Sequence, residues 1–318
     1  MKNNKKLKQN ILIFVGALFC CFLWGSAFPG IKIGYRLWNI PQGDTLAIMV
    51  FAGLRFFLAG ILVILFGSII KKKLLLPKAS ELPKILILSF FQTIGQYIFF
   101  YLGLSYNSGV DSAVINSLTT FFAILTASLV FRMEKLTFIK VLGCILGFIG
   151  VLIVNLDGFS LSFSLMGDTL LLLSAVCSGV SSSLIKKYSA DHDVVLFSGY
   201  QFIFGGLIMS VVGMIGGIAA DKTNMPPLNQ ENGLSIYSFL ILIYLALVSS
   251  VAYTLWGLLL RKNDVSKIAI FGFMTPVLGV ILSAVLLREQ GQLDFKSLIS
   301  LILISAGIII VNLKTKTD

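Results

Sequence analysis

Ten apolar runs, each about twenty residues long or more, alternate with short polar links along almost the whole 318-residue chain. They fall at roughly 11–34, 45–70, 83–105, 109–131, 136–155, 165–185, 194–219, 235–260, 266–287 and 294–313. A helix needs roughly 20 mostly apolar residues to cross the hydrocarbon core of a bilayer. Each run is therefore expected to be one transmembrane helix, which makes the chain an all-α integral membrane protein. Links such as Asn107 to Gly109 and Glu134-Lys135 leave no room for a soluble domain and make successive helices antiparallel neighbours. Composition points the same way, with 57% hydrophobic and 12% charged residues. A water-soluble chain of this length cannot hide so much apolar side chain. An ordinary soluble enzyme, a disordered protein and a nucleic-acid-binding domain are excluded, in spite of the net charge of +11.

The distribution of charge sets an expected orientation. Lys2, Lys5, Lys6 and Lys8 precede the first run, as in a signal peptide. That run is longer than the usual h-region and shows no convincing small-x-small cleavage site, so it is expected to stay as the first span. With the N-terminus inside, 19 of the 25 Lys and Arg residues lie in cytoplasmic links and five outside, and Arg55 lies within the second span. The bias agrees with an even number of spans in the plasma membrane and both termini cytoplasmic.

The second half of the chain echoes the first. Val110 to Glu134 aligns without gaps on Val265 to Glu289, at a shift of 155. Gly150-Val-Leu-Ile-Val-Asn155 meets Gly307-Ile-Ile-Ile-Val-Asn312 after a two-residue insertion. Upstream, Gly25 and Lys32 meet Gly179 and Lys186, and Leu54-Arg55-Phe56 meets Tyr200-Gln201-Phe202. With five spans in each half, the second copy must enter from the opposite face. The expected organisation is two inverted five-helix repeats, 1–157 and 158–318, an architecture of secondary transporters with the substrate site near the midplane.

The residues that carry these patterns resemble the EamA-type family of the drug/metabolite transporter superfamily. They are Leu23-Trp24-Gly25-Ser26-Ala27-Phe28-Pro29, Leu54-Arg55-Phe56-Phe57-Leu58-Ala59, Tyr101-Leu102-Gly103-Leu104-Ser105-Tyr106 running into Gly109 to Ala113, and Glu134-Lys135-Leu136-Thr137 followed by Gly143, Gly147 and Gly150. The resemblance covers nearly the whole chain. It implies a ten-helix permease that moves small metabolites, often exporting amino acids or related compounds. Multidrug efflux and uptake are the alternatives. The fourth span departs from the pattern, since Thr120 is followed by Phe121 where a proline is common, whereas Thr275-Pro276 keeps it in the ninth. A helix break is thus expected in one half only. The membrane-embedded Glu of the small four-helix exporters has no counterpart in the first span.

Candidate chemistry is sparse. Arg55 lies about ten residues into its span, where a charge costs at least ~2.5–3.5 kcal/mol unless compensated. It needs a wet cavity, helix-end carbonyls or an anionic ligand; a structural role and contact with a substrate carboxylate both fit. Further cavity-lining candidates are Gln92 and Gln96, four apart on one face of a helix, Asn116 and Thr120, and Gln201, the repeat partner of Arg55. Trp24, Tyr97, Tyr101, Tyr253 and Trp256 supply apolar bodies with polar handles, and Tyr101 and Trp256 are equivalent at the 155-residue shift. Pro29 and Pro276 are candidate gating kinks. Gly30-x-x-x-Gly34 and Gly143-x-x-x-Gly147 suit close helix packing, with homodimerisation as the second reading. No nucleotide-binding loop is present, and no metal or cofactor is expected. His192, between Asp191 and Asp193, reads as a residue of a solvated cytoplasmic link. Cys20, Cys21, Cys144 and Cys177 read as small core residues. The expected partners are a small-molecule substrate and membrane lipid; a membrane-embedded enzyme or sensor would need a deep acid–base pair.

Overall fold

The computed structural model describes residues 2–41, 43–107, 109–154, 164–220, 235–287 and 295–312. Asn155, Glu289 and the cations Lys222, Arg288, Lys314 and Lys316 lie outside the described residues. All described secondary structure is helical: α1 (Lys2–Leu37), α2 (Thr45–Lys71), α3 (Leu82–Ser89), α4 (Gln96–Leu104), α5 (Gly109–Ser117), α6 (Thr119–Leu125), α7 (Phe138–Val154), α8 (Leu165–Tyr188), α9 (Val194–Ala219), α10 (Ile236–Lys262), α11 (Val265–Ala269), α12 (Met274–Leu287) and α13 (Phe295–Asn312). A π-helical turn, Phe90–Gly95, fuses α3 to α4; a second, Thr126–Val130, follows α6; a 3-10 turn, Ile270–Phe273, joins α11 to α12. Among the described residues, seven helices are long and apolar enough to cross a membrane, and Val114–Val130, Phe138–Ile153 and Leu298–Asn312 are shorter apolar helices.

Helices are what an apolar chain must form in lipid, because every backbone N–H and C=O has to be satisfied within the segment. Polar side chains start them. Asp44, Ser164, Asp193 and Ser235 each accept a hydrogen bond from the first turn of α2, α8, α9 and α10, the usual N-cap device. Large apolar side chains stay exposed along the outside, among them Leu12, Ile69, Leu142, Ile215 and Phe239. Apolar surface on this scale calls for lipid as its solvent.

Glycines set the two closest crossings. A Cβ on Gly60 of α2 would stand 2.6 Å from the Gly199 carbonyl oxygen of α9, and one on Gly53 would stand 2.7 Å from the Gly206 carbonyl oxygen. A Cβ on Gly307 of α13 would meet the Gly143 carbonyl oxygen of α7 at 2.6 Å, and one on Gly150 the Ser300 carbonyl oxygen at 3.0 Å. In both crossings the helices run antiparallel, and exchanging sequence-equivalent residues maps one contact onto the other. Contacts of α1 with α10 and α12 have counterparts in those of α8 with α4 and α6. The glycine pairs read as packing elements do pack within the chain: Gly30 against Tyr244 and Leu245, Gly34 against Phe51, Gly147 against Phe273.

The proline reading needs correction. The α5–α6 rod is interrupted at Leu118 without a proline, and its counterpart is interrupted by the 3-10 turn Ile270–Phe273. Both breaks thus occupy equivalent places. Pro276 is the third residue of α12 and follows directly on this 3-10 turn, so the break in that span does lie beside its proline, in the turn that a proline disturbs; only the expectation of a break in one half alone is overturned. Helix α1 continues unbroken through the buried Pro29.

Candidate functional site

The rings at the α2–α9 crossing meet in the middle of the bundle. Phe56 and its counterpart Phe202 stack face to face, with centroids 5.3 Å apart and planes 9° apart. Tyr97 leans on Phe56 at 4.6 Å, and Tyr253 on Phe202 at 5.1 Å. The hydroxyls of Tyr97 and Tyr253 share a hydrogen bond of 2.7 Å. Exchanging the halves leaves this set of four unchanged. Trp24 of α1 adds an edge contact to Tyr253 and another to Trp256, each with centroids 5.0 Å apart. Two of these rings, Phe56 and Phe202, were missed in the sequence, although both sit in the matched Leu54–Phe56 and Tyr200–Phe202 triplets. The equivalence of Tyr101 with Trp256 gives way to that of Tyr97 with Tyr253, 156 residues apart. The reason is the preceding link, which is longer at 105–108 than at 263–264, so the 155-residue register slips there.

Arg55 stands beside this cluster. It is 6% exposed, its guanidinium lies 4.3 Å from the Phe56 ring centroid, and its Nε–H has no hydrogen-bond partner. The described helices contain only two acidic residues, Asp111 and Asp168, both in first turns at membrane edges, so Arg55 has no carboxylate at its depth. Its electrostatic neighbours are tyrosines, namely Tyr35, Tyr101 and Tyr253, and Tyr35 and Tyr101 lie close enough to interact with each other. Tyr35 was also missed, for nothing in its sequence neighbourhood marks it. Two more buried donors near the centre are unanswered: Trp24 Nε1 and Gln201 Nε2. Leaving such a group unpaired costs about 1–3 kcal/mol.

The other candidates fall elsewhere. Gln201 is fully buried, and its Oε1 accepts from Thr93 at 2.7 Å while its carbonyl accepts from Ser89 at 2.9 Å. These bonds cement α9 to the α3–α4 rod. Gln92 is buried inside the π-helical turn, and the Gln96 carbonyl accepts from Ser174 at 2.7 Å. Thr120 donates to the Ala269 carbonyl at 3.3 Å, and Asn116 is half-buried on α5. The structure therefore joins Trp24, Tyr97, Tyr253 and Trp256 in one cluster, sets Arg55 and Tyr101 beside it, and places Gln96, Thr120 and Gln201 in contacts between helices, with Gln92 buried in its π-helical turn and Asn116 half-buried on α5.

One rim carries a belt of paired charges. Glu134 accepts from the Ser266 N–H at 3.0 Å and the Ser266 hydroxyl at 2.8 Å, and pairs with Lys140 at 3.2 Å. Lys71 pairs with Asp193. His192 is no solvated loop residue. Its Nδ1 lies 3.0 Å from Glu81 and its Nε2 2.8 Å from Lys84, and its ring stacks on Phe197 at 4.9 Å. These partners come from distant parts of the chain, which is why its sequence neighbours misled. A shallow recess opens beside it, lined by Leu88, Tyr188, His192 and Phe197. Lys186 donates to the Leu260 and Asn263 carbonyls, which caps the end of α10. Among the described residues, no cluster of His, Cys, Asp and Glu could hold a metal ion.

Comparison with known proteins gives consistent matches. The model of the EamA-like transporter family matches residues 11–156 and again 165–313. A protein of Escherichia coli named "Probable amino-acid metabolite efflux pump" is 26% identical, with 86% of each chain covered. Its namesake in Salmonella typhimurium is 28% identical, with 92% of each covered. An "Uncharacterized transporter" of Bacillus subtilis is 26% identical over 100% of this chain and 96% of its own. A solved crystal structure superposes with a TM-score of 0.72 at 15% identity, covering 94% of this chain and 96% of that one; it bears on the fold alone.

Proposed function

Because the chain belongs to the EamA-like transporter family, we propose that it is a secondary transporter that exports a small metabolite, an amino acid or related compound, by alternating access. In this reading ten spans form two inverted five-helix repeats, 1–157 and 158–318, in the plasma membrane. Both termini and the charged rim face the cytoplasm, in keeping with the basic bias of those links. The observation that carries the reading is the exchange-symmetric set of Phe56, Phe202, Tyr97 and Tyr253 at an antiparallel crossing of equivalent helices. Inverted copies can trade conformations, so that inward-open and outward-open forms become near mirror versions of each other. In this reading the aromatic set forms the barrier between the two openings. The names of the two enterobacterial relatives support an amino-acid metabolite as cargo.

The lining proposed for the passage is Trp24, Arg55, Tyr97, Tyr101, Tyr253 and Trp256, with Gln92, Gln96, Asn116, Thr120 and Gln201 as flanking polar residues. Lipid surrounds the bundle. A second copy would have to pair through a lipid-facing surface, since the glycine faces are occupied within the chain. Multidrug efflux is the second reading, because the wall is mostly aromatic; the buried Arg55 speaks for a defined anionic group instead. The test is reconstitution of the full chain in liposomes with labelled amino acids, related metabolites and cationic drugs, with and without a pH gradient. Saturable flux of a metabolite is expected. Flux of drugs alone would overturn the metabolite reading, and no flux of any compound would overturn the transporter reading.

A further inference from the structure

We propose that Arg55, together with the hydroxyls of Tyr35 and Tyr101, is an anchor that reads a substrate carboxylate, so that the cargo is an amphipathic monocarboxylate whose amine is optional. This rests on the transporter reading and narrows its substrate class. The first argument is an unanswered donor. Arg55 is 94% buried by its 6% exposure, and its Nε–H points at no acceptor. A guanidinium presents a fork of N–H groups that matches a carboxylate edge to edge. The second argument is charge. The described helices hold no acidic residue at the depth of Arg55, so the surroundings carry a net positive charge that an anion would neutralise. A bound cation would add to it.

The third argument is what stands next to the fork. The Tyr35 and Tyr101 side chains interact with Arg55 and with each other, so a hydroxyl of this pair can turn its proton toward a carboxylate oxygen. Beyond them, Trp24, Tyr253 and Trp256 form a continuous run of ring contacts. Trp24 Nε1 offers a further unpaired N–H. Apolar walls with a few directed donors fix orientation as well as class. A molecule with a carboxylate at one end and an aromatic or branched apolar body at the other fits both ends. The described helices hold no carboxylate at that depth to pair with an ammonium group, which is why the amine is not required.

The test uses purified full-length chain and its tryptophan fluorescence, titrated with L-phenylalanine, 3-phenylpropionate, L-phenylalaninamide and phenethylamine. The two carboxylates are expected to bind at least tenfold tighter than the amide and the amine. Arg55→Gln should erase that preference, Arg55→Lys should keep part of it, and Tyr101→Phe should weaken both carboxylates severalfold. Equal binding of acids and amines by the unaltered chain overturns the anchor, as does a carboxylate preference that survives Arg55→Gln. Should Arg55→Gln fail to fold, unchanged carboxylate affinity in both Arg55→Lys and Tyr101→Phe overturns it instead. Liposome flux separates the two readings. Flux without carboxylate preference overturns the anchor and keeps the transporter; carboxylate binding without flux of any panel member keeps the anchor and overturns the transporter.

Discussion

The charged rim and the aromatic centre handle polar groups in opposite ways. At the rim, partners distant in sequence answer one another: Glu134 holds Ser266 and Lys140, Lys71 holds Asp193, and Glu81 and Lys84 grip the two nitrogens of His192. At the centre, the buried donors of Trp24, Arg55 and Gln201 have no acceptor. Both regions join the first half of the chain to the second. The difference teaches where polar groups are paired across the bundle and where they are not. Satisfied polar networks hold one arrangement of helices, whereas an unpaired buried donor leaves the cost of its burial unmet.

The hardest test of this contrast destroys the centre and spares the rim. In Gly60→Leu the new Cβ would stand 2.6 Å from the Gly199 carbonyl oxygen and 2.7 Å from the Ile203 nitrogen. Neither is a flexible side-chain end, so α2 and α9 must part. Overpacking of this kind costs ~3 kcal/mol or more where backbone blocks relaxation. Thermal unfolding in detergent should show a large fall in the midpoint or no folded protein. Ile61→Leu, one residue along and 40% exposed, should change little. Equal stability of the two variants would show that the crossing is looser than its geometry says.

The next test opens the rim and spares the centre. Glu134→Gln removes the charge opposite Lys140, whose other bond is to the Lys135 carbonyl at 2.8 Å, and weakens the hold on Ser266. The cost should be about 1–3 kcal/mol, the usual range for disturbing a buried charged hydrogen bond. Amide exchange should speed up across 264–269, at the start of α11, and stay unchanged at the α2–α9 crossing. Uniform acceleration over both regions would mean that rim and centre are one cooperative unit.

Much of this architecture could be read from residue patterns, and the exceptions have physical causes. Apolar length found the helices, because lipid leaves the backbone no other solution. Depth within its span marked Arg55, and repeat matching then found Gln201 and the triplets that carry Phe56 and Phe202. Extending one register past a link of different length then paired Tyr101 with Trp256, where the structure pairs Tyr97 with Tyr253. Proline was an incomplete guide to helix breaks, since Leu118 interrupts a rod without one, whereas the 3-10 turn Ile270–Phe273 does precede Pro276. Packing geometry, which no linear pattern carries, decided both. His192 looked solvated between two aspartates, yet its partners Glu81 and Lys84 lie 111 and 108 positions away. Tyr35 escaped for the same reason, since what gives it a role is Tyr101 across the bundle.

The mildest test titrates the rim against the centre. Burial acts to raise the Glu81 carboxyl, but hydrogen bonds from the Lys78 N–H and His192, and the nearby Lys78 charge, outweigh it and hold the group below its ordinary value. Asp193 is likewise held low: burial opposes, and Lys71 with the Val195 and Leu196 N–H groups prevails. Asp264 follows, with Lys267, Lys186 and Lys140 outweighing burial. A carboxyl depressed in the folded state stabilises it fully above the unfolded value, near ~4 for these groups, and loses that contribution as pH falls through the depressed one. Stability should therefore be flat from pH 7 to about 5 and decline below about 4. The decline should be modest, since half-exposed pairs are worth up to ~1 kcal/mol each. Asp193→Asn should shrink it, because Asn cannot titrate and keeps the cap on α9. The centre holds no described carboxylate, so acid should loosen the rim amides first. Simultaneous loss of protection at the α2–α9 crossing, before the rim yields, would reverse the assignment of which region is clamped by charge.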